Sequence, residues 1–163
     1  MKKIIYFAGG CFWGVQEYFD RLKGVLETTA GYANGKTTFP TYEEVKSQKT
    51  GHAETVRIVY DDEIISLNTL IEHYLRFVDP YSINKQGEDE GVQYRTGIYY
   101  TDLLDGIEAR TYLSEHLKEG YTIKVEKLLN FFRAEEYHQD YLKKNPTGYC
   151  HINLNLIKDE EKK

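Results

Sequence analysis

The sequence predicts an α+β fold in two layers, with helices on one face of a mixed sheet. Three observations carry that expectation. First, runs of strand periodicity and runs of helical spacing alternate over the first hundred residues in the order β-α-β-β-α-β. That order is the signature of a ferredoxin-like split βαβ core. Second, glycines and an Asn-Gly pair punctuate the runs where the period changes. Third, no internal repeat, low-complexity stretch or linker divides the 163 residues, which read as one domain over 1–163. A chain of this length buries roughly 70% of its unfolded surface, enough for a single core.

Each element follows from its pattern. Residues 3–8 are a short β-rich run closed by Gly9 and Gly10. Val15, Tyr18, Phe19 and Leu22 recur at helical spacing, and Gly24 stops that helix. Residues 25–32 are a second strand, followed by the Asn34-Gly35 turn. Residues 41–47 form a short helix inside a long loop. In the strand 54–60, Val56, Ile58 and Tyr60 share one face. Leu67, Leu70, Ile71, Tyr74, Leu75 and Val78 make the cleanest helical stripe, with Ser66 as N-cap and Asp79-Pro80 as its end. Strand follows at 93–100, helix at 103–118, strand at 122–126 and helix at 137–144. The last third thus adds C-terminal helices around the core. Residues 145–163 read as a long, irregular, mobile tail that carries Cys150 and ends in solvated charges.

Composition narrows the function. The net charge is −5 and the basic residues are scattered, which argues against nucleic acid, where affinity comes from neutralised phosphates. Only five apolar residues precede Gly9, short of the roughly 7–15 of a signal peptide, and no stretch approaches the ~20 of a membrane span. A cytoplasmic protein without a membrane partner is expected. A static disulfide between its two cysteines is then not expected. Five histidines and two cysteines show no metal-ligand spacing, so a metal site is not expected.

Cys11 stands out. It lies between a predicted strand and a predicted helix, in that helix's first turn, beside Phe12 and the only tryptophan, Trp13. Free N–H groups and the positive end of the helix dipole favour a thiolate there. The other reading is a small buried hydrophobe, the role of most free cysteines. A Cys–His dyad with His52 or His138 is conceivable but lacks a local signature. There is no C-x-x-C, so any disulfide partner has to be Cys150.

The segment Gly10-Cys11-Phe12-Trp13-Gly14 resembles the active-site signature of the peptide methionine sulfoxide reductase A family. Gly31-Tyr32-Ala33, Pro40-Thr41-Tyr42-Glu43-Glu44-Val45 and Thr50-Gly51-His52-Ala53-Glu54 look like further family blocks. So do Asp79-Pro80, Gln86-Gly87 with Asp89, Gln93-Tyr94-Arg95, the run from Ala134 to Leu142, and Gly148-Tyr149-Cys150. The blocks come in order and cover nearly the whole chain.

The resemblance implies an oxidoreductase that reduces the (S)-epimer of methionine sulfoxide, free or in oxidised proteins and peptides. Cys11 is then the nucleophile, and Phe12 and Trp13 wall a pocket for the methyl group. Glu54 is the proton donor, Tyr42 and Tyr94 are hydroxyl donors to the sulfoxide oxygen, and Asp89 helps organise the site. Cys150 resolves the sulfenic acid on Cys11 to a disulfide, which a thioredoxin reduces. A monomer is expected. No cysteine follows Cys150, which counts against a relay between two resolving thiols. Two other readings stay open: a module binding oxidised or methionine-rich peptides, with Cys11 merely buried, and a thiol peroxidase.

Overall fold

Strand β1 (Lys2–Gly9) lies inside the sheet and leads straight into the candidate site. The computed structural model describes residues 1–163. The elements that follow β1 are α1 (Phe12–Asp20), β2 (Val25–Ala33), α2 (Tyr42–Lys46), β3 (Ala53–Asp61) and α3 (Leu67–Phe77). Then come β4 (Lys85–Gln86), β5 (Asp89–Glu90), β6 (Thr96–Tyr100), α4 (Leu103–His116), β7 (Lys124–Lys127), β8 (Phe131–Arg133) and α5 (Tyr141–Lys144). Six strands form one sheet in the order β7-β6-β1-β3-β2-β8, and β4 and β5 form a separate pair. The β6–β7 pairing is parallel and the other pairings are antiparallel, so the sheet is mixed.

Alternation along β1 sorts its side chains between two faces. Ile5 and Phe7 join Val56, Ile58, Tyr60 and Ile98 beneath α1 and α3, in a core of 27 buried residues. Burial of each such side chain contributes about 1.5–3 kcal/mol. Tyr6 and Ala8 face the other way, into a smaller cluster with Ala33, Ala53 and Tyr99. The α3 stripe is buried as its spacing predicts. Ser66 caps the helix by accepting the Thr69 N–H at 3.1 Å, and Val78 turns extended ahead of Asp79-Pro80. No helix is long and apolar enough to cross a membrane.

Several expectations need correction. Residues 92–94 form a 3-10 turn, and the strand expected from 93 begins only at Thr96. The helix expected over 137–144 shrinks to the four residues of α5, after a separate 3-10 turn at Glu136–His138. The cause is local. Gln139 spends its side chain on Ala30, accepting from its N–H at 2.9 Å and donating to its carbonyl at 2.8 Å. Asp140 then turns left-handed, at φ 52°. The short strands β4, β5 and β8 were not anticipated.

Much of the tail is exposed, Lys158, Asp159 and Glu160 among it, but it is fastened to the body at several points. Ile152 and Ile157 are buried, and Lys162 bridges Leu22. Glu161 receives both Arg76 guanidinium nitrogens at 2.8 Å. Its charge is therefore paired on the protein surface, not left to water.

Candidate active site

Gly10 makes the corner between β1 and α1. Its φ of +90° is a left-handed conformation that glycine adopts without strain. The corner leaves Cys11 at the N-cap of α1, with Phe12 and Trp13 opening the helix. Cys11 is only 9% exposed.

Glu54, near the start of β3, reaches the same point. Its Oε1 accepts the Phe12 N–H at 3.1 Å. The carboxyl is 2% exposed, and burial raises its pKa from 4.5 to about 8 against the pull of that hydrogen bond, with a further push from Asp89. At pH 7 the group is mostly a neutral acid.

The thiol departs from expectation. Burial pushes the Cys11 pKa well up, the charged form of Glu54 pushes it further, and the Trp13 N–H pulls the other way. The helix N-terminus thus does not hold Cys11 as a thiolate in this buried site. Desolvation wins over the dipole. The Glu54 contribution disappears when that carboxyl is protonated.

Tyr42 and Tyr94 complete the polar side. Burial raises the Tyr42 pKa to about 12, with added pushes from Glu54 and Cys11 and an opposing pull from the adjacent Tyr94 hydroxyl. Tyr94 is raised as well, first by burial and then by Glu54. Both phenols therefore keep their protons at neutral pH. Asp89 adds negative charge near Cys11 and Glu54, and its Oδ2 accepts the Tyr149 hydroxyl at 3.0 Å.

The apolar side is a stack of rings. Trp13 lies flat on Tyr141, with centroids 3.7 Å apart and planes 8° off parallel. Its Nε1–H donates to His138 Nδ1 at 2.9 Å. The His138 ring contacts Tyr42 at 4.4 Å and Phe12 at 5.2 Å between centroids.

Both cysteines are free. Cys150 lies over Gly14, the third residue of α1: a Cβ on Gly14 would stand 2.8 Å from Cys150 Sγ. Residues three apart share a helix face, so Cys150 sits beside the turn that carries Cys11.

Of the residues singled out in the sequence, Cys11, Phe12, Trp13, Glu54, Tyr42, Tyr94 and Asp89 form one neighbourhood, with Cys150 at its edge. His52 is apart from it: its Nδ1 accepts the Gly35 N–H and its Nε2 donates to the Thr37 carbonyl, a structural assignment. Sequence reasoning gave no role to Glu135, which accepts the Tyr32 hydroxyl at 2.7 Å and the Tyr42 N–H at 2.9 Å. Nor did it give one to His138 as a partner of Trp13. The block 134–142 that holds both was visible, but nothing in its spacing revealed what they touch.

Comparison with known proteins gives the chain's family. The model of the family described as "Peptide methionine sulfoxide reductase" matches residues 3–163. A Ureaplasma urealyticum protein named peptide methionine sulfoxide reductase MsrA is 52% identical over 163 residues, 97% of this chain and 98% of its own. One of the same name from Lachnoclostridium phytofermentans is 56% identical over 156 residues, 93% of each chain. Among solved structures, reduced Mxr1 from Saccharomyces cerevisiae superposes with a TM-score of 0.85 at 33% identity, over 93% of this chain and 91% of its own. The fold and these matches define an oxidoreductase acting on a sulfur group. The chain belongs to the peptide methionine sulfoxide reductase family.

Proposed function

We propose that this chain, acting as one catalytic unit over residues 1–163, reduces the (S)-epimer of methionine sulfoxide in peptides, in oxidised proteins and as the free amino acid. The observation that carries this reading is the neutral carboxyl of Glu54, bonded to the N–H of Phe12 directly after the buried thiol. A sulfoxide needs such a pair: sulfur attacks sulfur, and the oxygen takes a proton as its bond to the substrate sulfur breaks.

The substrate methyl group rests against Phe12 and Trp13, where ring faces favour sulfur-bearing groups. Its oxygen faces Glu54, Tyr42 and Tyr94. Cys11 sulfur attacks the sulfoxide sulfur, Glu54 supplies the proton to the oxygen, and the thiol's proton restores Glu54. The S–S bond made in the attack then breaks as the oxygen passes to the Cys11 sulfur: methionine leaves with its sulfur reduced, and Cys11 keeps the oxygen as a sulfenic acid. Cys150 then condenses with it, forming the disulfide and releasing water.

A thioredoxin-type dithiol is the reductant in this reading, and the yeast protein Mxr1 has been solved in complex with Trx2. Residence in the cytoplasm as a monomer belongs to the same reading. The strand order β6-β1-β3-β2, antiparallel throughout, supports treating the first hundred residues as a ferredoxin-like core.

The test is turnover of each methionine sulfoxide epimer with dithiothreitol as reductant. The (S)-epimer should yield methionine catalytically and the (R)-epimer should not. A peptide-binding module would form none, and a thiol peroxidase would consume hydrogen peroxide at least as well.

A further inference from the structure

Two hydrogen bonds fasten the residues on either side of Cys150. Tyr149 donates its hydroxyl to Asp89 Oδ2 at 3.0 Å. The His151 ring nitrogen Nε2 lies 3.0 Å from the Gly9 carbonyl, so Nε2 is the protonated nitrogen and donates. Gly9 and Asp89 flank Cys11 from β1 and β5. The His151 side chain is only 3% exposed, and its Nδ1 has no hydrogen-bond partner. The ring fits because residue 10 is a glycine: a Cβ there would stand 2.8 Å from Nε2. The only hydrogen bond of this imidazole is the one to the end of β1; on its other side Nδ1 stands 4.0 Å from Asp89 Oδ2, the acceptor of the Tyr149 bond.

We propose that His151 is the positioning residue of the disulfide-forming step: its bond to the Gly9 carbonyl, with the Tyr149–Asp89 bond, clasps the chain so that Cys150 waits over Gly14, beside Cys11. This rests on the proposed function only for the source of the sulfenic acid. In the step itself, the Cys150 sulfur attacks the sulfur of the Cys11 sulfenic acid. The S–S bond forms, the S–O bond breaks, and the oxygen leaves as water with the proton of the Cys150 thiol. A protonated, half-buried Cys150 thiol is a poor free nucleophile, because burial raises its pKa. Proximity is then what the protein contributes.

The clasp predicts a split between the two steps. His151→Phe keeps a ring but loses the donor. His151→Gln places an N–H close to the position of Nε2 and should restore the bond. Each protein is mixed with one equivalent of methionine sulfoxide and, in a parallel arm, with one equivalent of hydrogen peroxide, which makes the sulfenic acid without the sulfoxide chemistry. Methionine and the Cys11–Cys150 disulfide are followed by quenched flow. In His151→Phe, disulfide formation should slow about tenfold, the scale of one buried hydrogen bond, in both arms. Methionine formation should be unchanged, and His151→Gln should recover most of the lost rate. Equal disulfide rates in wild type and His151→Phe overturn the clasp. So does faster closure in His151→Phe, which would make the contact a restraint that holds Cys150 away. So does failure of His151→Gln to rescue. If wild type forms no methionine, the proposed function fails while the peroxide arm still decides the clasp.

Discussion

Replacing Glu54 by Gln should make this protein slower and more stable at once. The amide is nearly isosteric and keeps an oxygen to accept the Phe12 N–H, bonded at 3.1 Å in the native site. It cannot deliver a proton. Loss of a general acid typically costs about 10²–10⁴-fold in rate, or roughly 3–5 kcal/mol of barrier. The stability effect has the opposite sign. The folded-state pKa of Glu54 lies above its ordinary 4.5, at about 8. As pH rises above 4.5 the unfolded carboxyl ionises while the folded one stays protonated, so each further pH step costs the native state about 1.4 kcal/mol until about pH 8. By pH 7 that is on the order of 3 kcal/mol, which Glu54→Gln escapes. With about 2–4 °C per kcal/mol for a chain of this size, the melting temperature of the variant should rise relative to wild type by roughly 6–12 °C between pH 4.5 and pH 7. The assays are methionine formed in a single turnover by rapid quench, and thermal melts across pH. Iodoacetamide should still alkylate Cys11, and faster above pH 8, because the Glu54 charge no longer opposes the thiolate. An unchanged first-step rate, or a stability difference that is flat with pH, would refute a protonated Glu54 as the donor.

Three further outcomes follow from particular contacts. Trp13→Ala removes the indole that stacks on Tyr141 and bonds His138; kcat/KM on a methionine sulfoxide peptide should fall at least about tenfold, the equivalent of about 1.4 kcal/mol, and an unchanged value would return the ring to plain packing. Gly14→Ala puts a Cβ 2.8 Å from Cys150 Sγ and 3.2 Å from Ile152 Cδ1; the tail should shift, slowing disulfide formation with the first methionine still formed at the native rate, as quenched-flow assays would register. Glu161 is held down to about 2 by Arg76, so its stabilisation is full above pH 4.5 and is lost as pH falls toward 2. The acid limb of the melting curve should flatten in Glu161→Gln.

The legible parts of this chain were those where local chemistry decides the structure. Two glycines ending a β-rich run, followed by helical spacing, located Cys11 at a helix N-terminus, and it is the N-cap of α1. Ser66 before a clean stripe marked a real cap. What escaped depends on partners distant in sequence. The apolar spacing of 137–144 looked helical, yet Tyr137 and Tyr141 are placed by His138 and Trp13, not by a continuous helix. Strand β8 is three residues long and exists because it pairs with β2. The pairing of Glu161 within the charged tail was hidden because Arg76, which binds it, lies 85 residues away. The lowered thiol pKa expected from the helix dipole was reversed by burial, a quantity no spacing rule carries. The residues that gather around Cys11 were noticed because their blocks were recognisable; the groups they bond to, Glu135 and His138, were not.

The central claim is that Cys11 takes the oxygen from the substrate and Cys150 acts only afterwards. It is tested most directly by a single turnover of Cys150→Ser with methionine sulfoxide and no reductant. Methionine and the mass of the Cys11 peptide are measured on the same quenched sample. The account predicts one methionine per enzyme and one added oxygen on Cys11, trapped as the sulfenic acid because no second thiol can resolve it. Absence of methionine would put Cys150 in the first chemical step, and methionine without oxygen on Cys11 would mean that another group takes the oxygen. Either result would contradict the account.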